Sequence, residues 1–419
     1  MGSFAAWLRR LLGGEKVADP GSAVPPPAPP GEPTSLAEGG NGFALAMFKK
    51  LGQRPGNLLF SPFSIRTALA MAQAGARGET ASQMSEVLRI SALEEPAEVV
   101  LAAMVQRPNA LRDRTSEISA VNSLWCQEGA PLHAGFLDLI DRHYHGEANL
   151  VDFRRDAERA RVTINRWVED KTRQEIRELV ASGALDAGTR LVLVNAVYFK
   201  GMWVSQFSRA ATRDEPFYLG GGAVVQTPLM HQKQAAWYVR GAGYQAVDLV
   251  YRGSGLSMLV ILPDQKDGLR DLEQQLSTGI LQAPVTQMSL CAVDLYLPRF
   301  TIAWGTLDVS GPLGALGMTL PFDSARADFS GINGCQAPHD EALHVSAVLH
   351  KARIEVSEEG TEAAAATAVE MRLLGSAGPR PPRQTPVVRV DHPFLFAIRE
   401  RGRGAILFLG RVADPTRES

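Results

Sequence analysis

Residues 361–373 satisfy two incompatible structures at once. The run TEAAAATAVEMRL is rich in Ala, Glu, Met, Arg and Leu, all good helix formers. Its odd positions, Thr361, Ala363, Ala365, Thr367, Val369, Met371 and Leu373, are uncharged, while its only charges, Glu362, Glu370 and Arg372, fall on even positions. Side chains along a strand point alternately to opposite faces, so the same run can lie in a sheet with every charge outward. Just upstream, KARIEVS sets Ala352, Ile354 and Val356 against Arg353 and Glu355, and a Gly-containing turn, SEEG, comes next. The pattern reads as strand, turn, second strand. That second strand leads straight into GSAGPRPPRQTP, which must be exposed and extended. The stretch is written for two states, and the rest of the chain must provide for both.

A chain of 419 residues, 45% of them hydrophobic, can bury a substantial core as one large domain or two ordinary ones. From Ser35, SLAEGGNGFALAMFKKLG reads as a helix broken by Gly39, Gly40 and Gly42. Asn57 to Phe60 reads as a short buried strand, with Ser61-Pro62 capping the next helix. DAERARVTINRWVEDKTRQEIRELV reads as one helix whose apolar stripe includes Ile164, Val168, Ile176 and Val180. TRLVLVNAVYFKGMW reads as a central strand, LSMLVILPD and AVDLYLPRFTI as further strands, and HPFLFAIRERGRGAILFLGRV as a hairpin. Helices dominate early and strands late, which predicts an α+β fold with antiparallel sheets. No internal repeat is present.

Several functions are excluded or disfavoured. A net charge of −2 gives no reason to expect nucleic-acid binding. No run of 18 apolar residues exists to span a membrane. Cys126, Cys291 and Cys335 are odd in number and too scattered for a short metal motif, so no metal, cofactor or disulfide is expected. No GxSxG, HExxH, CxxC pair or phosphate loop occurs. Ser61 or Ser64 with His350 can be drawn as a nucleophile and base, but hydroxyls at a helix start more commonly satisfy backbone donors. His231 and the Asp391-His392-Pro393 stretch are read as structural. The N-terminus, with Arg9 and Arg10 where an apolar centre is needed, is not a secretory signal, so a cytoplasmic location is the default and an extracellular or cell-surface one the alternative. Phe4, Trp7, Leu8, Leu11 and Leu12 make one apolar face, so residues 4–12 are expected to touch a membrane or partner weakly, or to fray. The expected organisation is a tail over 1–19, a Pro-rich extended linker over 20–34, a globular body over 35–415 and a short tail over 416–419.

The motifs NLLFSPFSI, GARGETASQM, INRWVEDKT, LVLVNAVYFKGMW, LYLPRFTI, LGALGMTLPFDSARADFSGI, HKARIEVSEEGTEAAAATA and DHPFLFAIRE…ILFLGRVADP, in this order, resemble the serpins, inhibitors of serine proteases. The resemblance implies three β-sheets, eight or nine helices and an exposed reactive loop at about 358–385. It implies a monomer that is not an enzyme and whose partner is a target protease. Carried over by motif, Glu358, Glu359, Gly360, Thr361, Glu362, Ala363, Ala364, Ala365, Ala366 and Thr367 form the hinge, rich in small residues as in inhibitory members. Asn57, Ser61, Ser64, Asn195 and His350 form the shutter, and Trp203 marks the breach. Fourteen residues after Gly360 the reactive bond falls between Leu374 and Gly375, which implies chymotrypsin-like targets; a shift of two would select Arg372 and trypsin-like ones. The alternative is a non-inhibitory member, with a binding, storage or chaperone-like role, whose loop is cut without trapping.

Overall fold

The computed structural model of the chain describes residues 34–90, 116–361 and 385–418, except positions 130, 145, 254, 278, 282–286 and 403. The longer helices of the first half are α1 (Thr34–Leu51), α2 (Pro62–Gly75), α3 (Gly78–Val87), α4 (Ala134–Leu139) and α5 (Phe153–Lys171). The first strands in chain order are β1 (Leu58–Phe60), β2 (Ser116–Gln127), β3 (Glu147–Val151), β4 (Leu191–Met202) and β5 (Arg213–Tyr218). Then come β6 (Val224–Arg240), β7 (Tyr244–Val250), β8 (Leu256–Pro263), β9 (Ser289–Pro298) and β10 (Phe300–Asp308). The last are β11 (Val345–Val356), β12 (Gly360–Thr361), β13 (Val387–Arg389), β14 (Phe394–Glu400) and β15 (Ile406–Val412).

They form two connected sheets. One runs β10-β11-β4-β2-β3, with the two-residue β12 added to the end of β4. The other runs β1-β15-β14-β8-β7-β6-β9-β13, with β5 also on β6. The 17-residue β6 pairs with β5, β9 and β7 along successive parts of its length, so the second and third expected sheets are continuous through it.

Local chemistry explains the elements that position the site. Ser61 caps α2, its hydroxyl accepting from Ser64 N–H at 3.1 Å, and Pro62 occupies the first turn, where its missing N–H costs nothing. β4 is buried along nearly all its length, as its apolar run predicts. Its Val192, Val194 and Ala196 face the core under α5, made by Ile164 and Val168, while Val197 and Phe199 face the opposite core.

Two helix expectations are corrected. α1 is continuous through Gly39, Gly40 and Gly42. The first two let other parts of the chain approach: a Cβ on Gly39 would meet Arg89 O at 2.7 Å, and one on Gly40 would meet Arg66 Nη1 at 2.9 Å. α5 stops at Lys171, and Ile176 and Val180 lie beyond it. Those two still bury in the α5 core, but as parts of a bent segment in which Arg173 and Gln174 take φ of 53° and 66°.

Candidate functional site

Ser61, Ser64, Asn195 and His350 come together beneath the middle of the β10-β11-β4-β2-β3 sheet. His350 and Asn195 are register partners on the parallel strands β11 and β4. Ser61 N–H donates to His350 Nε2 at 3.0 Å. His350 Nδ1 faces the side-chain oxygen of Asn195, so the ring proton sits on Nδ1. The Asn195 amide in turn donates to Ser64 Oγ and to the side-chain oxygen of Asn122 on β2. Ser61 Oγ donates to Leu407 O on β15 at 2.7 Å. One polar chain therefore ties α2, β15, β11, β4 and β2 together. His350 is wholly buried, and that burial pulls its pKa down to about 3, so the ring is neutral. Its contact with Ser61 is through the backbone N–H, not the hydroxyl, which is the wrong arrangement for a nucleophile and base.

Asn57 stands apart from this network. Its side chain donates to Asp414 O and Arg417 O and accepts from the N–H groups of Ala413 and Asp414, clamping the C-terminal segment. Asn122 is the member that sequence reasoning missed; its signal was an amide on a strand whose neighbours include Val121 and Leu124.

A second cluster lies where β4 ends. Trp203 is buried and stacks on Tyr251 with ring centroids 4.4 Å apart. Its Nε1 donates to Ser357 O at 3.0 Å and its N–H to Glu359 O at 2.9 Å. The turn after β11 is thus pinned to the end of β4. Glu358 is buried; its carboxylate accepts from Arg299 Nη2 at 2.6 and 2.8 Å and from Thr212 Oγ1 at 2.7 Å. Burial pushes its pKa up, but the Arg299 and Thr212 hydrogen bonds outweigh this and hold it below the usual carboxylate range. Glu359 pairs with Arg209 at 2.6 Å. Gly360 takes φ +138°, and a Cβ there would press on Gly201 O, Met202 Cα and Trp203 N, so only glycine fits. Gly360 and Thr361 pair antiparallel with Met202 and Gly201. Glu362, Ala363, Ala364, Ala365, Ala366, Thr367, Leu374 and Gly375 lie outside the described residues.

Residues 38–415 match the model of one family, the serpins (serine protease inhibitors). The chain belongs to the serpin family. Among its relatives, the pig leukocyte elastase inhibitor is 37% identical, over 89% of this chain and 97% of that one. Serpin-Z1C of wheat (Triticum aestivum) is 35% identical, over 89% and 94%. Among solved structures, uncleaved ovalbumin superposes with a TM-score of 0.81 at 29% identity, covering 91% of this chain and all of that one. Human thyroxine-binding globulin, solved with its ligand, gives 0.81 at 27% identity, covering 91% and 99%. The family is one of serine protease inhibitors, not enzymes. In this serpin β11 and β4 are direct neighbours, paired in parallel from Val345 and Leu191 to Ile354 and Phe199, with Gly360 and Thr361 at the mouth of the seam between them.

Proposed function

We propose that this serpin traps serine proteases of the chymotrypsin type as a suicide substrate, through cleavage after Leu374 and entry of residues 361–374 between β11 and β4. A coincidence of registers carries the reading. Counting on from Thr361 opposite Gly201 sets Ala363 level with Phe199, Ala365 with Val197, Thr367 with Asn195 and Val369 with Leu193. Counting instead from Gly360 opposite Ser357 sets the same four residues level with Ile354, Ala352, His350 and Val348. These are the pairs that β4 and β11 already make with each other. A strand continued from Thr361 is therefore in register with both neighbours at once. Its uncharged odd positions face the side of Val197 and Phe199, and Glu362 and Glu370 face the α5 side.

The sequence of events is ordinary chemistry. The protease's serine attacks the Leu374 carbonyl, an acyl-enzyme forms and Gly375 becomes a new N-terminus. The freed strand replaces one parallel ladder by two antiparallel ones, which pair more stably per residue. Fourteen residues at ~3.3 Å each carry the attached protease roughly 46 Å. Deacylation needs an intact triad and oxyanion hole, so distortion of either stops it. Insertion races hydrolysis, and about 1.4 kcal/mol added to the insertion barrier costs roughly tenfold in that race.

Leu374 suits an apolar primary pocket, with Arg372 a minor cleavage site. Relatives named leukocyte elastase inhibitor support a serine protease as the target, and elastase and chymotrypsin differ in having a small and a hydrophobic primary pocket respectively. Incubation with chymotrypsin should give an SDS-resistant complex and release a C-terminal peptide beginning at Gly375 by mass spectrometry. A peptide beginning at Leu373 would move the reactive bond to Arg372, and cleavage without complex by every serine protease tried would sink the trap.

A further inference from the structure

The β11–β4 seam is crossed on its outer face by the segment after α5, residues 172–185. Its Ile176, Leu179 and Val180 bury against β4 and β11 residues in the α5 core. Asn165 on α5 holds it by two bonds, Asn165 Nδ2 to Val180 O at 2.9 Å and Val180 N to Asn165 Oδ1 at 2.8 Å. Lys351 on β11 donates to Arg177 O at 2.7 Å, and Thr306 on β10 donates to Leu179 O.

Glu175 is placed differently from the other anchors. Its Oε1 lies 3.1 Å from Lys200 Nζ on β4, and its Oε2 lies 3.5 Å from Arg353 Nε on β11. One carboxylate thus joins the two strands that must part. The backbone around it is held in the left-handed region: Arg173, Gln174 and Glu178 have φ of 53°, 66° and 48°, three of the four non-glycine residues with positive φ among those described. Such conformations persist only where the surroundings enforce them, so this segment is poised to relax when its anchors let go.

We propose that Glu175 is a positioning residue, the catch that keeps the seam shut, and that Glu362 displaces it as the loop begins to enter. The inference rests on the insertion reading. An inserted strand moves Lys200 and Arg353 apart by a further strand spacing of ~4.8 Å, too far for one carboxylate to serve both. In the register set by Thr361 opposite Gly201, Glu362 comes level with Lys200, on the same outer face. It brings a replacement carboxylate to Lys200 at the moment Glu175 loses its grip. Glu362 also comes level with Glu355, whose charge Arg353 answers at 3.6 Å. The exchange occurs at the first outward-facing loop residue to enter, so it governs the start of insertion and not its end point.

The test uses the full uncleaved chain and a synthetic peptide of residues 361–374, with peptide uptake tracked on native gels. Glu175→Gln should take up the peptide about threefold faster than the unsubstituted chain at low salt, with the gain shrinking at 1 M salt, as for partly exposed ion pairs. Asp138→Asn, which breaks an exposed pair with Arg142 on α4 and its extension, should change nothing. A peptide carrying Glu362→Gln should enter about threefold more slowly, and that difference should vanish in Lys200→Gln protein. Uptake at equal rates by Glu175→Gln and the unsubstituted chain at every salt concentration would overturn the catch and leave the insertion reading standing. No uptake by either protein would overturn both.

Discussion

The neutral, buried His350 makes the shut sheet sensitive to acid. Its Nε2 already receives the Ser61 N–H at 3.0 Å, so a proton added there would meet another donor head-on. With its pKa pulled down to about 3, the folded chain refuses that proton across the whole range from pH 8 to pH 4. The unfolded chain accepts it near the ordinary value of about 6.5. Between those values the unfolded state binds more protons, so stability falls as pH falls. The contribution is fully present above about pH 6.5 and shrinks by about 1.4 kcal/mol for each unit below it. At pH 5 the loss is therefore about 2 kcal/mol, a figure that holds for any folded pKa well below 5. His350→Gln removes the titration while leaving an amide in place. Urea unfolding of both proteins, monitored by tryptophan fluorescence at pH 8, 6.5 and 5, reads the difference directly. Gln should cost about 1–3 kcal/mol at pH 8 through imperfect bonding. That gap should narrow by about 2 kcal/mol at pH 5, because only the histidine protein weakens. The other histidines are common to both proteins and cancel. Stability curves that stay parallel from pH 8 to pH 5 would refute the reasoning.

Other expectations bear on residues 358–363. In the proposed inserted strand, Ala363→Arg would bring a cation level with the paired Phe199 and Ile354, where it would be buried unpaired; the yield of SDS-resistant complex should fall at least about tenfold while cleavage continues. Gly360→Ala forces a side chain onto the Met202 and Trp203 backbone at a φ that L residues rarely adopt, and should cost about 2–4 kcal/mol, seen as a lower urea midpoint. Glu358→Gln keeps the shape but weakens the bonds to Arg299 and Thr212, and should cost about 2 kcal/mol near neutrality. Because the Glu358 pKa is lowered, that cost should disappear as pH falls through the carboxylate range, measurable in the same unfolding series.

How much of the fold and site was legible in the sequence depends on the range of the interaction involved. Ser61 and Pro62 announced a helix start because capping acts over three residues. The apolar run of β4 and the alternation of β11 marked those strands because burial repeats with the period of the element. The glycines of α1 misled because their reason lies elsewhere, in Arg66 and Arg89 passing close to them. The end of α5 was hidden for a related reason. Ile176 and Val180 keep helical spacing, but tertiary contacts to Asn165, Lys351 and Thr306 bend the backbone after Thr172. The hydrogen bonds of Asn122, Arg299 and Asn57 join residues 59 to 360 positions apart, and no local pattern encodes them.

If residues 361–374 enter between β11 and β4 as proposed, the parallel pairing of those two strands gives the working form of this protein a lifetime. A ladder that any strand of suitable parity would improve is a wager against time. Warmth alone should let some molecules close around their own uncut loop, or around a neighbour's, and each such event silences an inhibitor that never met an enzyme. Since opening reactions of this kind quicken about three- to sixfold per 10 °C, stored protein should age on a thermal clock.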